Sequence, residues 1–215
     1  MPKYRLIIFD FDGTLVDTAP DIALHTNAVL RGLGLPAQPL EAVKKAVGRG
    51  VHELFRDLSP ALNEDEAALE NAVTLFKENY WARPVVHTRA YPAVTEMLAG
   101  PLATFKKAIV TNKPHDLAKK ILEWLSLTGY FELVIGLDSD YPAKPDPSSV
   151  KHVMDFLKAS PKETLYIGDS HVDSETSQNA GIDFGWVSYG YDDLNGTPRA
   201  MEFQSADQWA KLTEE

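Results

Sequence analysis

Two aspartates, Asp10 and Asp12, directly follow the apolar run Leu6-Ile7-Ile8-Phe9 and lead into Gly13-Thr14. Residues two apart on an extended chain share a face, and two carboxylates on one face repel unless a cation neutralises them. Three more clusters of the same kind follow apolar runs. Thr111-Asn112-Lys113 comes after Ala108-Ile109-Val110, and Lys144 lies in "AKPDP" beyond Leu133-Val134-Ile135. Gly168-Asp169-Ser170, with Asp173 next, comes after Leu165-Tyr166-Ile167. Taken singly, Thr111 reads as a strand-end hydroxyl, Lys144 as a solvated loop lysine and Asp169 as a helix N-cap. Their joint order, each at the end of a run, says more. Open parallel sheets bind ligands beyond the carboxyl ends of their strands, so all four clusters converge on one edge. Asp10, Asp12 and Asp169 there make a hard, all-oxygen set of the kind Mg²⁺ takes, keeping waters and accepting substrate phosphate oxygens.

The elements that must position these residues alternate. From about Pro92 onward, short apolar runs, the last being Phe184-Gly185-Trp186-Val187, alternate with helical patterns such as Pro114 to Leu125 and Ser148 to Leu157. That is the mark of an α/β fold with a parallel sheet covered on both faces. Between Thr18 and Arg83 the spacing is helical throughout. One helix starts at Pro20 and closes at Gly32 and Gly34, a second runs from near Pro39 to Gly48, and a third from Val51 to Leu58. Asn63 with Glu66 has the spacing of a capping box for a fourth helix, which Pro84 stops. Trp81, Trp124 and Trp209 are expected to pack helices, and His52, His115 and His171 to lie at surfaces or caps. The helical block is an insertion after the first strand.

Composition narrows the function classes. The chain has 215 residues with 31 acidic against 21 basic, a formal charge of −10, which argues against nucleic acid or an anionic membrane as partner. It has no cysteine, so disulfides, thiolate metal sites and a thiol nucleophile are excluded. No run approaches a membrane span and no leader pattern is visible, which sets a cytoplasmic expectation.

On "FDFDGTLVDT", "IVTNK", "AKPDP" and "IGDSHVDSETSQNAG", which span residues 9 to 181, the chain resembles a haloacid dehalogenase superfamily phosphatase of the phosphoglycolate-phosphatase-like group. The resemblance implies a Rossmann-like core from residues 1–15 and 86–215 and a small all-α cap from residues 16–85. It makes Asp10 the nucleophile that forms an aspartyl-phosphate, and Asp12 the acid that protonates the leaving oxygen and then activates water. Thr111 and Lys144, with N–H groups around Asn112, would hold the phosphoryl oxygens. Mg²⁺ would be bound by the Asp10 carboxylate, the Asp12 backbone carbonyl and Asp169, supported by Asp173. Arg49, in the "GRG" of the cap, is a candidate for a substrate carboxylate or second phosphate. The expected partner is a small phosphorylated metabolite, phosphoglycolate first. Dehalogenase relatives lack an acid at the position of Asp12. Sugar phosphomutases of the β-phosphoglucomutase type share Asp10 and Asp12 but usually carry adjacent Glu-Asp where this chain has Gly168-Asp169. Pyrophosphatase or nucleotidase activity and a catalytically silent relative are further alternatives, and the intact acid set argues against the last. Oligomeric state is left open.

Overall fold

The computed structural model describes residues 3–194 and 196–214. Its first strand, β1 (Leu6–Phe9), is buried along its whole length, because period-two alternation feeds two cores. Leu6 and Ile8 join one apolar cluster and Ile7 and Phe9 the other. After β1 the chain makes the short strand β2 (Val16–Asp17), then helices α1 (Ala19–Gly32), α2 (Leu40–Ala46), α3 (Val51–Leu58) and α4 (Glu66–Ala82). It returns through β3 (Arg89–Ala90) to α5 (Val94–Ala99), β4 (Lys106–Pro114), α6 (His115–Trp124) and β5 (Leu133–Leu137). The remainder is α7 (Ser148–Leu157), β6 (Thr164–Gly168), α8 (His171–Ala180), β7 (Asp183–Val187), β8 (Met201–Phe203) and a 3₁₀ stretch, Ala206–Thr213.

Six strands pair in the order β5-β4-β1-β6-β7-β8, all parallel. β1 is therefore flanked by β4 and β6, and Phe9 sits opposite both Ile109 and Ile167. This register brings Asp10, Thr111 and Asp169, which are far apart in sequence, to neighbouring strand ends. Residues of α5, α6 and the 3₁₀ stretch fill one face of the sheet and those of α7 the other, as their buried residues divide between the two clusters.

The inserted helices share an apolar cluster with the first face through Leu30, Leu54, Phe55, Phe76 and Tyr80. Their two connections to the sheet pair with each other, β2 running antiparallel to β3 with Val16 opposite Ala90 and Asp17 opposite Arg89. Asp21, fully buried in the first turn of α1, ties the same junction. Its carboxylate accepts from the backbone N–H groups of Val86, His87 and Thr88 and from the Thr88 hydroxyl. Burial alone would raise its pKa, but these donors hold it below the ordinary value.

Two local expectations are corrected. The α4 cap is Asp65, whose carboxylate accepts from Ala68 N–H at 3.0 Å. Asn63 ends a 3₁₀ turn opened by Pro60 and donates instead to the Arg56 carbonyl. Trp209 is buried and packs on Phe9, but Trp81 and Trp124 are exposed, Trp124 by 66%. A helical period places a side chain on a stripe without saying whether anything covers that stripe.

Candidate active site

Asp10 immediately follows β1, and its backbone N–H donates to Ile167 at 2.9 Å, so the residue is still held by the sheet. Its carboxylate is buried and receives Lys144 Nζ at 2.7 Å. The same ammonium donates to Asp173 at 2.6 Å and to the Tyr166 hydroxyl at 3.1 Å. Asp10, Asp169 and Asp173 each present an oxygen within 4.8 Å of the other two. Three carboxylates thus face one buried ammonium. Burial, then the charge on Asp173, pushes the Asp10 pKa up to about 7 against the pull of Lys144. Burial, then Asp173 and Asp10, raises Asp169 well above its usual range. An excess of buried acid of this kind fits a hard divalent cation, which would remove the repulsion.

The backbone around Asp169 is shaped for close approach. Gly13 has φ +85° and a Cβ there would lie 2.3 Å from Asp169 Oδ2, while one on Gly190 would lie 2.2 Å from the Asp169 Cβ. Asp169 also accepts from Tyr191 N–H at 2.7 Å and from the Thr14 hydroxyl at 3.3 Å. Asp173 stands behind it. One of its oxygens takes Lys144, and the other takes the backbone N–H and hydroxyl of Ser170 at 3.0 and 2.7 Å, closing a capping box at the start of α8.

Asp12 lines the same cavity as Asp10, but its carboxylate belongs to a different set of partners. The Thr18 hydroxyl donates to it, and Lys113 Nζ donates to it at 3.0 Å. Thr111 is buried at the strand end, where it lines the cavity. Asn112 works through its side chain: its Nδ2 donates to the carbonyls of Gly48 and Lys144, and its Oδ1 accepts from Lys144 N–H at 2.8 Å. It clips the loop that carries Lys144 to the inserted helices.

The cavity enclosed by these groups, about 50 Å³, has an opposite wall of Ile22, Val47, Val51, Leu54 and Phe76, all from the inserted segment. An adjoining space of about 70 Å³ reaches Asp169 and Tyr191 and is rimmed by Lys44 and Lys45 of α2. Arg49 is not brought to either space. It is exposed and pairs with Asp57 and, at 3.7 Å, with Glu53. Among the described residues, the cations of the insertion that line the second space are Lys44, itself 3.1 Å from Glu41, and Lys45.

Several residues in and around the site are not apparent as such in the sequence. Lys113 is the clearest; its signal is a lysine two residues beyond Thr111 in a buried strand, hence on the same face. Asp21, Thr18 and Tyr191 form a second group. The Tyr191 hydroxyl accepts from Thr18 and Ala19 N–H and donates to Asp17, a contact between distant loops that no local pattern encodes.

A sequence model of the haloacid dehalogenase-like hydrolases matches residues 7–187. A protein of Aquifex aeolicus named phosphoglycolate phosphatase is 37% identical over 89% of this chain and 88% of its own length. One of Nitrosospira multiformis with the same name is 36% identical over 88% and 85%. The crystal structure of a predicted phosphoglycolate phosphatase from Haemophilus somnus superposes with a TM-score of 0.92 at 28% identity, covering 99% of both chains. The chain belongs to the haloacid dehalogenase-like hydrolases. Among the described residues, no helix is long and apolar enough to cross a membrane.

Proposed function

We propose that the chain is a Mg²⁺-dependent phosphatase of a small phosphomonoester, working through an aspartyl-phosphate on Asp10. The observation that carries this reading is the division of the two aspartates. Asp10 lies among buried acids with Lys144, whereas Asp12 faces the same cavity but is held apart by Lys113 and Thr18. One carboxylate is placed to attack and the other to handle protons.

An Asp10 oxygen attacks phosphorus while the bond to the ester oxygen breaks, and Asp12 gives that oxygen its proton. Asp12 then takes a proton from the water that attacks the phosphoryl group, releasing inorganic phosphate and restoring Asp10. Thr111 and Lys144 hold the phosphoryl oxygens through both steps. Asp10, Asp169 and the Asp12 carbonyl would hold the cation, with Asp173 behind them, and the charge so supplied offsets repulsion between Asp10 and the substrate dianion. The apolar wall excludes water from the reacting groups. The names of the Aquifex and Nitrosospira relatives favour phosphoglycolate as the substrate.

The test is phosphate release from a panel that includes phosphoglycolate, hexose phosphates, nucleoside monophosphates and pyrophosphate, with Mg²⁺ and with excess chelator. Metal-dependent release, greatest from phosphoglycolate, is the expected result. Isomerisation of a sugar phosphate on addition of its bisphosphate, without net release, would replace the phosphatase by a mutase.

A further inference from the structure

Among the described residues three lysines are buried, Lys107, Lys113 and Lys144. Lys107 donates to the carbonyls of Leu102 and Phe105, and Lys144 serves Asp10. Lys113 has neither function. Its ammonium, with a side chain only 4% exposed, lies 3.0 and 3.4 Å from the two oxygens of Asp12 and 3.3 Å from the Tyr80 hydroxyl. It also sits 4.7 Å from the centre of the Tyr80 ring and 5.9 Å from that of Phe11. Methionine would fill such a space without desolvating a charge, so packing does not account for the residue.

The partners come from two parts of the molecule. Asp12 and Lys113 belong to the sheet edge, Tyr80 to α4 of the insertion. The Tyr80 ring is itself fixed, stacked on His25 of α1 with centroids 5.0 Å apart. Apart from Lys113, the Asp12 carboxylate has the Thr18 hydroxyl as its side-chain partner, and one contact leaves the group free to turn about its own axis. Proton delivery needs one carboxyl oxygen aimed at the leaving oxygen within hydrogen-bond reach.

We infer that Lys113 is the positioning residue of the acid Asp12, fixing the orientation of its carboxylate, and that Tyr80 ties this orientation to the seating of the inserted helices. The inference rests on the phosphatase reading above and adds to it a residue that lines the same cavity and is assigned to orienting the acid.

The experiment compares two esters on Mg²⁺-loaded Lys113→Met and wild type. Phosphoglycolate loses an alkoxide, which must be protonated; p-nitrophenyl phosphate loses a phenolate, which leaves without a proton. The parameter is kcat/KM, which covers the steps up to alcohol release and so omits the hydrolysis step common to both esters. The expected result is a loss of about 100-fold or more for phosphoglycolate and under about tenfold for the aryl ester, since general acid catalysis supplies about that factor. Equal losses on both esters, none on either, or a phosphoglycolate loss confined to KM would overturn the assignment, because a purely structural role acts on both alike and a lysine that only holds the substrate carboxylate acts on KM. If Lys113→Met does not fold, Tyr80→Phe reads the same bridge: a bias of about fivefold against phosphoglycolate supports it, and an equal effect on both esters overturns it. Wild-type protein that releases phosphate from neither ester would instead refute the phosphatase reading itself, a distinguishable result.

Discussion

At the sheet edge, Asp10, Asp12, Asp169 and Asp173 are bonded to lysines, hydroxyls and backbone N–H groups; across the same cavity the inserted helices present Ile22, Val51, Leu54 and Phe76. One wall carries charge that must be balanced, and the other offers shape and dryness. The pairing is itself instructive. An apolar wall lowers the local dielectric and strengthens every charge interaction facing it, so in the proposed reaction the helices would act through the medium they provide.

The contrast can be broken most severely at Asp10, the proposed nucleophile. Asp10→Asn keeps the shape and removes the attacking carboxylate, and kcat for phosphate release should fall by about four orders of magnitude or more with circular dichroism unchanged. Normal turnover would move the chemistry elsewhere. Asp169→Asn should lower kcat by about 100- to 1000-fold, partly recoverable at high Mg²⁺, as expected when several kcal/mol of metal assistance is weakened.

At the junction of the two walls, Asp21→Ala removes the acceptor of three backbone donors, that of Thr88 buried and those of Val86 and His87 part-buried, and should cost about 3 kcal/mol, a fall in Tm of roughly 6–12 °C. At the charged wall the pH dependence comes from its raised carboxyls, Asp10 first. In metal-free protein, Asp10 holds its proton up to about pH 7, whereas the unfolded chain releases it near pH 4. The folded state therefore binds more protons in that window, and its stability falls as pH rises from about 4 to 7. Thermal melts in chelator should show this decline, and added Mg²⁺ should raise Tm more at pH 8 than at pH 5. The smallest effect is expected for Arg49→Ala, because exposed ion pairs contribute little: kcat/KM should stay within about twofold for every ester. A tenfold rise in KM confined to carboxylated substrates would bring Arg49 into the recognition wall after all.

The two walls were unequally legible in the sequence. Asp10, Thr111 and Asp169 were readable because each follows an apolar run, and strand ends in a parallel sheet share an edge by geometry; Lys144 lies on the loop after β5, and its placement depends on the Asn112 clip. The helical wall was readable as helices but not as a wall. Leu54 and Phe76 satisfy a packing period whether they face a core or a cavity, and Arg49 looked available because its acidic partners, Glu53 and Asp57, lie one and two turns on. Lys113 was visible as a residue but its contacts were not, since its partner Tyr80 is 33 positions away on an element whose docking depends on the whole fold.

The paired ribbon of β2 and β3 has a mechanical consequence. A block joined to a core by two independent strands of chain has little to fix its bearing; here those strands are hydrogen-bonded to each other and fastened by Asp21, so the two crossings act as one rigid stem. The bearing of the stem is what sets Tyr80 on Lys113 and Gly48 on Asn112.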